Sequence, residues 1–333
     1  MASKLEVENF IKDIKPEDKI NLIFHNDLDG FASGILFYDY LKDKGCKDIG
    51  IYPFVIINGN LKDIKENLRD RDKLIILDLA KNTIHPKITE LLQGEEVLYI
   101  DHHKTDSPLE NKNILEYRIT ERYTPCSRIV YELIDGKEWL SVAGTISDYG
   151  DRYPENKEFI EGFLKKNNYS SNKYLEDVVT PLSYLLIAFE KNLKMAFEII
   201  KDIKDYDKIE NLKKYSKPVY DEINQSLENS KKYAERIKDI NFYYFNPKFL
   251  IRSIIVNKIS EQNPEEIYIF ASPENGKIGI SARCQSKKID MIEILKKSAK
   301  DLKDSSCGGH SAAAGGYIQK EDLEKFRKNL SKI

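Results

Sequence analysis

Long apolar runs are missing from this sequence. The longest stretches, such as Leu74 to Leu79 and Pro181 to Phe189, fall well short of the roughly 18 residues a membrane span requires. No transmembrane helix and no membrane partner are therefore expected. The N-terminal stretch MASKLEVENFIKDIKPEDK alternates charges and lacks the apolar core and small-residue cleavage site of a secretory signal, so the expected compartment is the cytoplasm. Cysteine is scarce too. Cys46, Cys126, Cys284 and Cys307 are scattered without metal-knuckle spacing, and a chain of 333 residues needs no disulfide to hold a core. They read as free thiols. Neither sign of charge is in excess, because 53 Lys and Arg face 55 Asp and Glu for a net of −2. That balance excludes a global basic field and an acidic disordered tail.

Histidine is the informative shortage, with five in the whole chain. Four of them, His25, His102, His103 and His310, fall inside short motifs, and His85 does not.

Several short apolar runs end in acids or histidines. KINLIFH (19 to 25) reads as a strand, runs into Asn-Asp-Leu-Asp-Gly, and is followed by helical spacing in FASGILFYDYLKDKG. IYPFVII (51 to 57), LIILDLA (74 to 80) and EEVLYIDHH (95 to 103) are further strand candidates with charged helical segments between them. Such alternation predicts an α/β fold with a parallel sheet. Ligands of such sheets bind beyond the carboxyl ends of the strands, where three of these candidates place Asp or His. Glycine-poor Lys/Glu/Leu/Ile/Tyr periodicity then predicts helices. A smaller α+β domain follows, with strands at 267 to 272 and 277 to 284, a helix at 289 to 300, a Gly-rich loop, a strand at GYIQ and a closing helix at 321 to 332. The expected division is 1–153, a helical connector 154–244, and 245–333.

Five constellations carry chemistry. In HNDLDG, Asp27 and Asp29 are two apart, so at the end of an extended strand both carboxylates could face one side, with Gly30 allowing a sharp turn. A helix cap or solvated turn is the competing reading. Asp78 closes an apolar strand, where a carboxylate must reach water, cap a helix or meet a cation. Asp101-His102-His103 follows another buried strand, and imidazole with carboxylate suits a divalent ion such as Mn²⁺. The second histidine is free to act on substrate. In SVAGTISDYGD, small residues permit close packing before Asp148; an ordinary acidic helix C-terminus is the competing reading, but it is unfavourable against the helix dipole unless a cation sits nearby. In CGGHSAAAGG, glycines and alanines surround His310 and leave backbone N–H groups open to an anion. Just upstream, residues 277 to 300 carry seven bases against two acids, a local basic face of +5.

Asp27, Asp29, Asp78 and Asp148 together bring a charge of −4, which two divalent cations would neutralise. Phosphoester hydrolysis is the reaction class this implies.

The order D-x-D-G, strand-end Asp, D-H-H, Asp, and then an Arg with a G-G-H-x-x-A-A-G loop resembles the DHH phosphoesterases that carry the first type of DHH-associated C-terminal domain. The resemblance covers roughly 18–153 and 245–331. It implies that Asp27 and Asp29 each hold one metal, that Asp78 bridges both, and that His102 and Asp148 complete the set. Mn²⁺ is the implied cofactor, with Mg²⁺ as substitute. His103 would contact phosphate and assist the leaving group, with Asp101 beside it in the catalytic motif. Arg283, Gly308, Gly309 and His310 would clamp the substrate, which places catalysis in an interdomain cleft.

The oligoribonuclease and pyrophosphatase branches have a metal-binding His four residues before the first Asp, where this chain has Ile23; His25 lies only two before. The His-x-Asp-x-Asp-Gly form resembles the RecJ-type exonucleases, archaeal members especially, with His25 either on the metal or beside it. The expected substrate is single-stranded DNA or RNA, in a repair or replication setting. Hydrolysis of short oligonucleotides or of adenosine 3′,5′-bisphosphate is the alternative, and an inactive scaffold the third reading. The helical middle could dock a replication or repair protein or simply pack within the fold.

Overall fold

The computed structural model describes residues 1–54, 68, 71–80, 96–103, 113–119 and 121–333. They form two compact units, Met1–Ser216 and Lys217–Ile333. His85, the charged segment 81–95 and the end of the expected strand 51–57 lie outside the described residues.

The first unit is built on strands β1 (Ile20–His25), β2 (Ile49–Phe54), β3 (Lys73–Leu77), β4 (Glu96–Asp101) and β5 (Ile114–Arg118). They pair in parallel in the order β2-β1-β3-β4-β5. Both faces of the sheet are covered, so the central strands read as continuous apolar runs. Alternate residues go to opposite sides: Leu22, Phe24, Ile75, Leu77, Leu98 and Ile100 join the larger core, whereas Ile23, Leu74, Ile76, Val97 and Tyr99 join a smaller one.

Helices α1 (Lys4–Lys12), α2 (Leu28–Asp43), α3 (Cys126–Ile134), α4 (Glu138–Ser147), α5 (Pro154–Lys166), α6 (Ser171–Tyr174), α7 (Thr180–Ala188) and α8 (Leu193–Lys201) complete this unit. Ile160, Phe163, Tyr174, Leu182, Leu185 and Phe197, from the helices after residue 153, are buried in the same core as Phe24 and Phe31. The two compact units meet within α9 (Lys213–Tyr233). No described helix is long and apolar enough to cross a membrane, and the four cysteines are free.

The second unit holds β6 (Glu235–Ile237), β7 (Ile240–Tyr244), β8 (Ile267–Glu274), β9 (Lys277–Arg283), β10 (Ser306–His310) and β11 (Ala313–Ile318). They form one mixed sheet in the order β10-β11-β9-β8-β7-β6. Helices α10 (Arg252–Gln262), α11 (Met291–Ser298) and α12 (Leu323–Leu330) accompany the sheet, and Ile269, Ile280, Leu295 and Phe326 lie in its core. The expected Gly-rich loop is a hairpin: Cys307 pairs with Gly316 and His310 with Ala313. Glycine disfavours strands by entropy, but here it is required, because a Cβ on Gly316 would collide with the Ser306 carbonyl oxygen.

Candidate metal centre

The order of the parallel sheet reverses between β1 and β3. In open α/β sheets that switch point, beyond the carboxyl ends of the strands, is where ligands bind. The sequence places His25 at the end of β1, Asp78 just after β3, and Asp101, His102 and His103 at the end of β4. Asp148 arrives from another direction, as the C-cap of α4.

These side chains converge. His25 Nδ1 lies 2.8 Å from Asp27 Oδ2 and 3.7 Å from Asp78 Oδ2. His102 Nε2 lies 3.3 Å from Asp78 Oδ1 and 3.4 Å from Asp148 Oδ2. Three groups offer ligand atoms mutually within 4.8 Å, Asp78–Asp101–His102–His103, His25–Asp27–Asp78 and Asp29–His102–Asp148, and Asp78 and His102 are each shared by two of them. Asp78 has a left-handed backbone, φ 57°, a conformation that costs a non-glycine residue energy and is retained where the surroundings over-determine it. Its amide donates to the Ile100 carbonyl at 2.9 Å, which ties it to the end of β4.

Asp27 and Asp29 do not share an extended strand. Asp27 is the N-cap of α2 and accepts a 2.9 Å hydrogen bond from the Gly30 amide. Asp29 lies inside the first turn of α2, fully buried, and faces α3. The Cys126 amide donates to its Oδ2 at 2.7 Å, and the Ser127 amide to its Oδ1 at 3.0 Å. Ser127 Oγ donates to the same oxygen. The small residues preceding Asp148 have a matching reason: a Cβ on Gly144 would lie 2.5 Å from Ser127 Oγ and 2.9 Å from Ala32 Cβ. Gly30 is fixed equally tightly, since a Cβ there would run into the His25 carbonyl oxygen.

His103 is differently placed, its side chain 41% exposed. Its Nδ1 lies 2.7 Å from Asp101 Oδ1. Asp101 is fully buried, and its other oxygen accepts from Arg118 Nη1 at 2.7 Å. Arg118 also donates to the His103 carbonyl at 2.7 Å and to Glu116 at 2.6 Å. Asp101 thus contacts His103, and its own carboxylate does not reach solvent.

Tyr123 was not visible as a site residue in the sequence. Its hydroxyl donates to Asp148 Oδ2 at 2.6 Å, and its ring stands edge-on to His102 with centroids 5.3 Å apart. Burial, opposed by the charge of His102 and the Tyr123 hydroxyl, raises the pKa of Asp148 to about 6. Burial works against charge on His102, yet the hydrogen bond and charge of Asp78 outweigh it and raise that pKa to about 10. Clustered carboxylates thus hold protons where a cation could sit.

Arg283, Gly308, Gly309 and His310 are brought together within the second unit. Arg283 of β9 pairs in register with Ala313 of β11, which pairs with His310 of β10. Arg283 donates to the carbonyls of Ala282 and Ala314 at 2.9 and 3.3 Å and to Asn257 Oδ1. Gly309 has φ 128°, and a Cβ there would lie 2.5 Å from the Ala313 carbonyl oxygen. In the basic stretch, Lys297 pairs with Glu293 at 3.4 Å and Lys288 with Glu265 at 3.9 Å.

The model of the DHH family, N-terminal domain, matches residues 19–157, and that of the DHHA1 domain matches 245–333. No curated protein matches the chain. Among solved structures, RecJ in complex with Mn²⁺ from Thermus thermophilus is 16% identical with a TM-score of 0.75, over 99% of this chain and 54% of that one. Exonuclease RecJ bound to manganese is 15% identical with a TM-score of 0.73, over 99% and 93% of the two chains. CDC45 from Entamoeba histolytica is 11% identical with a TM-score of 0.56, over 98% and 97%. The chain thus spans about half the length of the Thermus protein, and at these identities the likeness is one of fold.

Proposed function

From the premise that this chain belongs to the DHH family and carries a DHHA1 domain, we propose that it is a metal-dependent phosphodiesterase, a RecJ-like single-strand-specific exonuclease that hydrolyses DNA or RNA to mononucleotides. The observation that carries this reading is the convergence of the ligand groups His25–Asp27–Asp78 and Asp29–His102–Asp148, joined by a third that contains both Asp78 and His102. The residues fit a pair of divalent ions. Asp78 Oδ1 is buried, and His102 Nε2, itself a candidate ligand, approaches it at 3.3 Å; such a buried cluster of ligand atoms is costly unless a cation completes it. Oxygen and imidazole donors together suit Mn²⁺, with Mg²⁺ as substitute. When bound, two such ions supply charge neutralisation and polarisation of a phosphoryl group for attack by water.

The chain's own residues do the rest. Asp101 occupies His103 Nδ1, so Nε2 is the atom left to meet the substrate, where it contacts phosphate and passes a proton to the departing oxygen. Arg118 holds both the Asp101 carboxylate and the His103 backbone and fixes the ring without touching substrate. Arg283 and the Gly308, Gly309 and His310 strand are the substrate-binding residues of the DHHA1 domain. The likeness in fold to RecJ structures, one of them of an exonuclease bound to manganese, and the His25-x-Asp27-x-Asp29-Gly30 spacing favour exonuclease action over a short-oligonucleotide hydrolase.

The test is a Mn²⁺ assay on end-labelled single-stranded DNA and RNA of graded length. Stepwise shortening of long strands, lost in Asp78→Ala, is expected. Cleavage confined to dinucleotides and their near relatives would overturn the exonuclease reading, and activity retained in Asp78→Ala would overturn the metal assignment.

A further inference from the structure

Immediately after Asp148 the chain makes a short turn, Tyr149-Gly150-Asp151-Arg152-Tyr153, that the metal centre does not use. Its two tyrosines are among the exposed large apolar side chains, Tyr149 at 46% and Tyr153 at 39%. Tyr149 has φ 57°, a left-handed conformation that a bulky residue adopts at a cost. The Arg152 guanidinium lies over the Tyr149 ring, 4.1 Å from its centroid. Tyr153 stacks on Tyr123 with centroids 4.1 Å apart and planes 15° from parallel. The hydroxyl of Tyr123 is in turn bonded to Asp148. A continuous path of contacts therefore runs from a candidate metal ligand, through two stacked rings, to solvent.

We propose that this turn is a base-stacking platform, on which Tyr153 takes the nucleobase adjoining the scissile phosphate and Tyr149 with Arg152 offers a second flat surface for a neighbouring base. The proposal rests on the phosphodiesterase reading of the metal centre and names where that substrate's bases go. Aromatic rings and guanidinium planes are what single-stranded nucleic acid binds without regard to sequence, because every base has a π face. Two rings already stacked nearly parallel are preorganised to accept a third layer. A single-stranded end can present an unpaired base to them, whereas a base inside a duplex is occupied by its own stack. The platform therefore supplies strand-state selectivity from the same turn that delivers Asp148.

The experiment compares two end-labelled single strands, one normal and one with an abasic sugar at the scissile end, in Mn²⁺. Wild-type protein should prefer the base-bearing strand by roughly tenfold in KM. In Tyr153→Leu, which keeps bulk against Tyr123 but has no π face, the preference should collapse towards unity, and Tyr153→Trp should restore it. Preference surviving in Tyr153→Leu, or an equal loss on both strands, would overturn the platform and leave the ring a packing residue. If the wild-type protein cleaves neither strand, the phosphodiesterase reading fails. The platform is then decided by binding of a 2-aminopurine dinucleotide: fluorescence quenched by wild type but not by Tyr153→Leu supports it, and equal or absent quenching refutes it.

Discussion

The backbone amide of Cys126 donates to Asp29 at 2.7 Å, so the first turn of α3 is tied to the first turn of α2 by a carboxylate that also stands in the metal cluster. Asp27 caps its own helix through Gly30 and pairs with His25 at 2.8 Å, but ties down no second helix. In metal-free protein, Asp29→Ala should cost about 2 kcal/mol and Asp27→Ala about 1 kcal/mol or less. Urea denaturation in the presence of a chelator measures both. Equal losses would show that the α3 N-terminus does not depend on Asp29.

Metal binding should release protons. With His102 raised to about 10 and Asp148 to about 6, the ion has to displace a proton from His102 at neutral pH, and from Asp148 as well below pH 6. Affinity for Mn²⁺ should therefore climb with pH, and calorimetry in buffers of different ionisation enthalpy should register protons leaving. The same shift has a sign for stability. Protonated His102 contributes stability that is full below its ordinary value of 6.5 and is lost as pH rises through about 10. Chelated protein should consequently be more base-labile than the Mn²⁺-loaded form. Affinity independent of pH would contradict this assignment.

The buried chain from His103 through Asp101 to Arg118 predicts separable effects. His103→Ala should lower kcat by about 10²- to 10⁴-fold. Asp101→Asn should lower kcat by about 10²-fold, because an amide can set the wrong imidazole tautomer, and should cost about 2 kcal/mol by leaving Arg118 less well paired. Both variants should retain the rise in Tm on adding Mn²⁺, since each leaves the His25–Asp27–Asp78 and Asp29–His102–Asp148 groups intact, although Asp101 and His103 stand with Asp78 and His102 in a third group. Loss of that rise in Asp101→Asn would place Asp101 on the metal.

Gly30→Ala is a test of backbone crowding. The added methyl would collide with the His25 carbonyl, and relief requires the β1–α2 turn to move. A loss of about 1–3 kcal/mol and a weakened Mn²⁺ response are expected from thermal melts. By contrast, a Cβ on Gly162 meets nothing within 4 Å, and the same substitution there should be neutral or slightly stabilising.

The strand ends were legible because a parallel strand covered on both faces has to be apolar until it leaves the sheet. LIIL ending in Asp78 and VLYI ending in Asp101 therefore stand out against their own chemistry. β5 was not legible. ILEYR carries Glu116 and Arg118, which look like solvent-facing charges and are instead buried because they satisfy each other and Asp101. The β10–β11 hairpin was hidden for the opposite reason, since its glycines signal a loop unless the close approach of the Ser306 backbone is known. Helix α1 was not read from the sequence either, although Ser3 and Glu6 form a capping box whose two hydrogen bonds are both present. Tyr123 left no signal, because a single tyrosine in a loop has no periodicity to betray it and its partner Asp148 is remote in sequence.

That remoteness has a consequence for biosynthesis. A chain leaving the ribosome presents Asp27 and Asp29 early, but Asp78, His102 and Asp148 follow one at a time, each on a later element. Contacts of such long sequence separation form late, after loop-closure entropy has been met. A nascent or prematurely ended chain therefore holds an incomplete set of the candidate ligands, and the proposed activity would be delayed until β1, β3, β4 and α4 have all found their places.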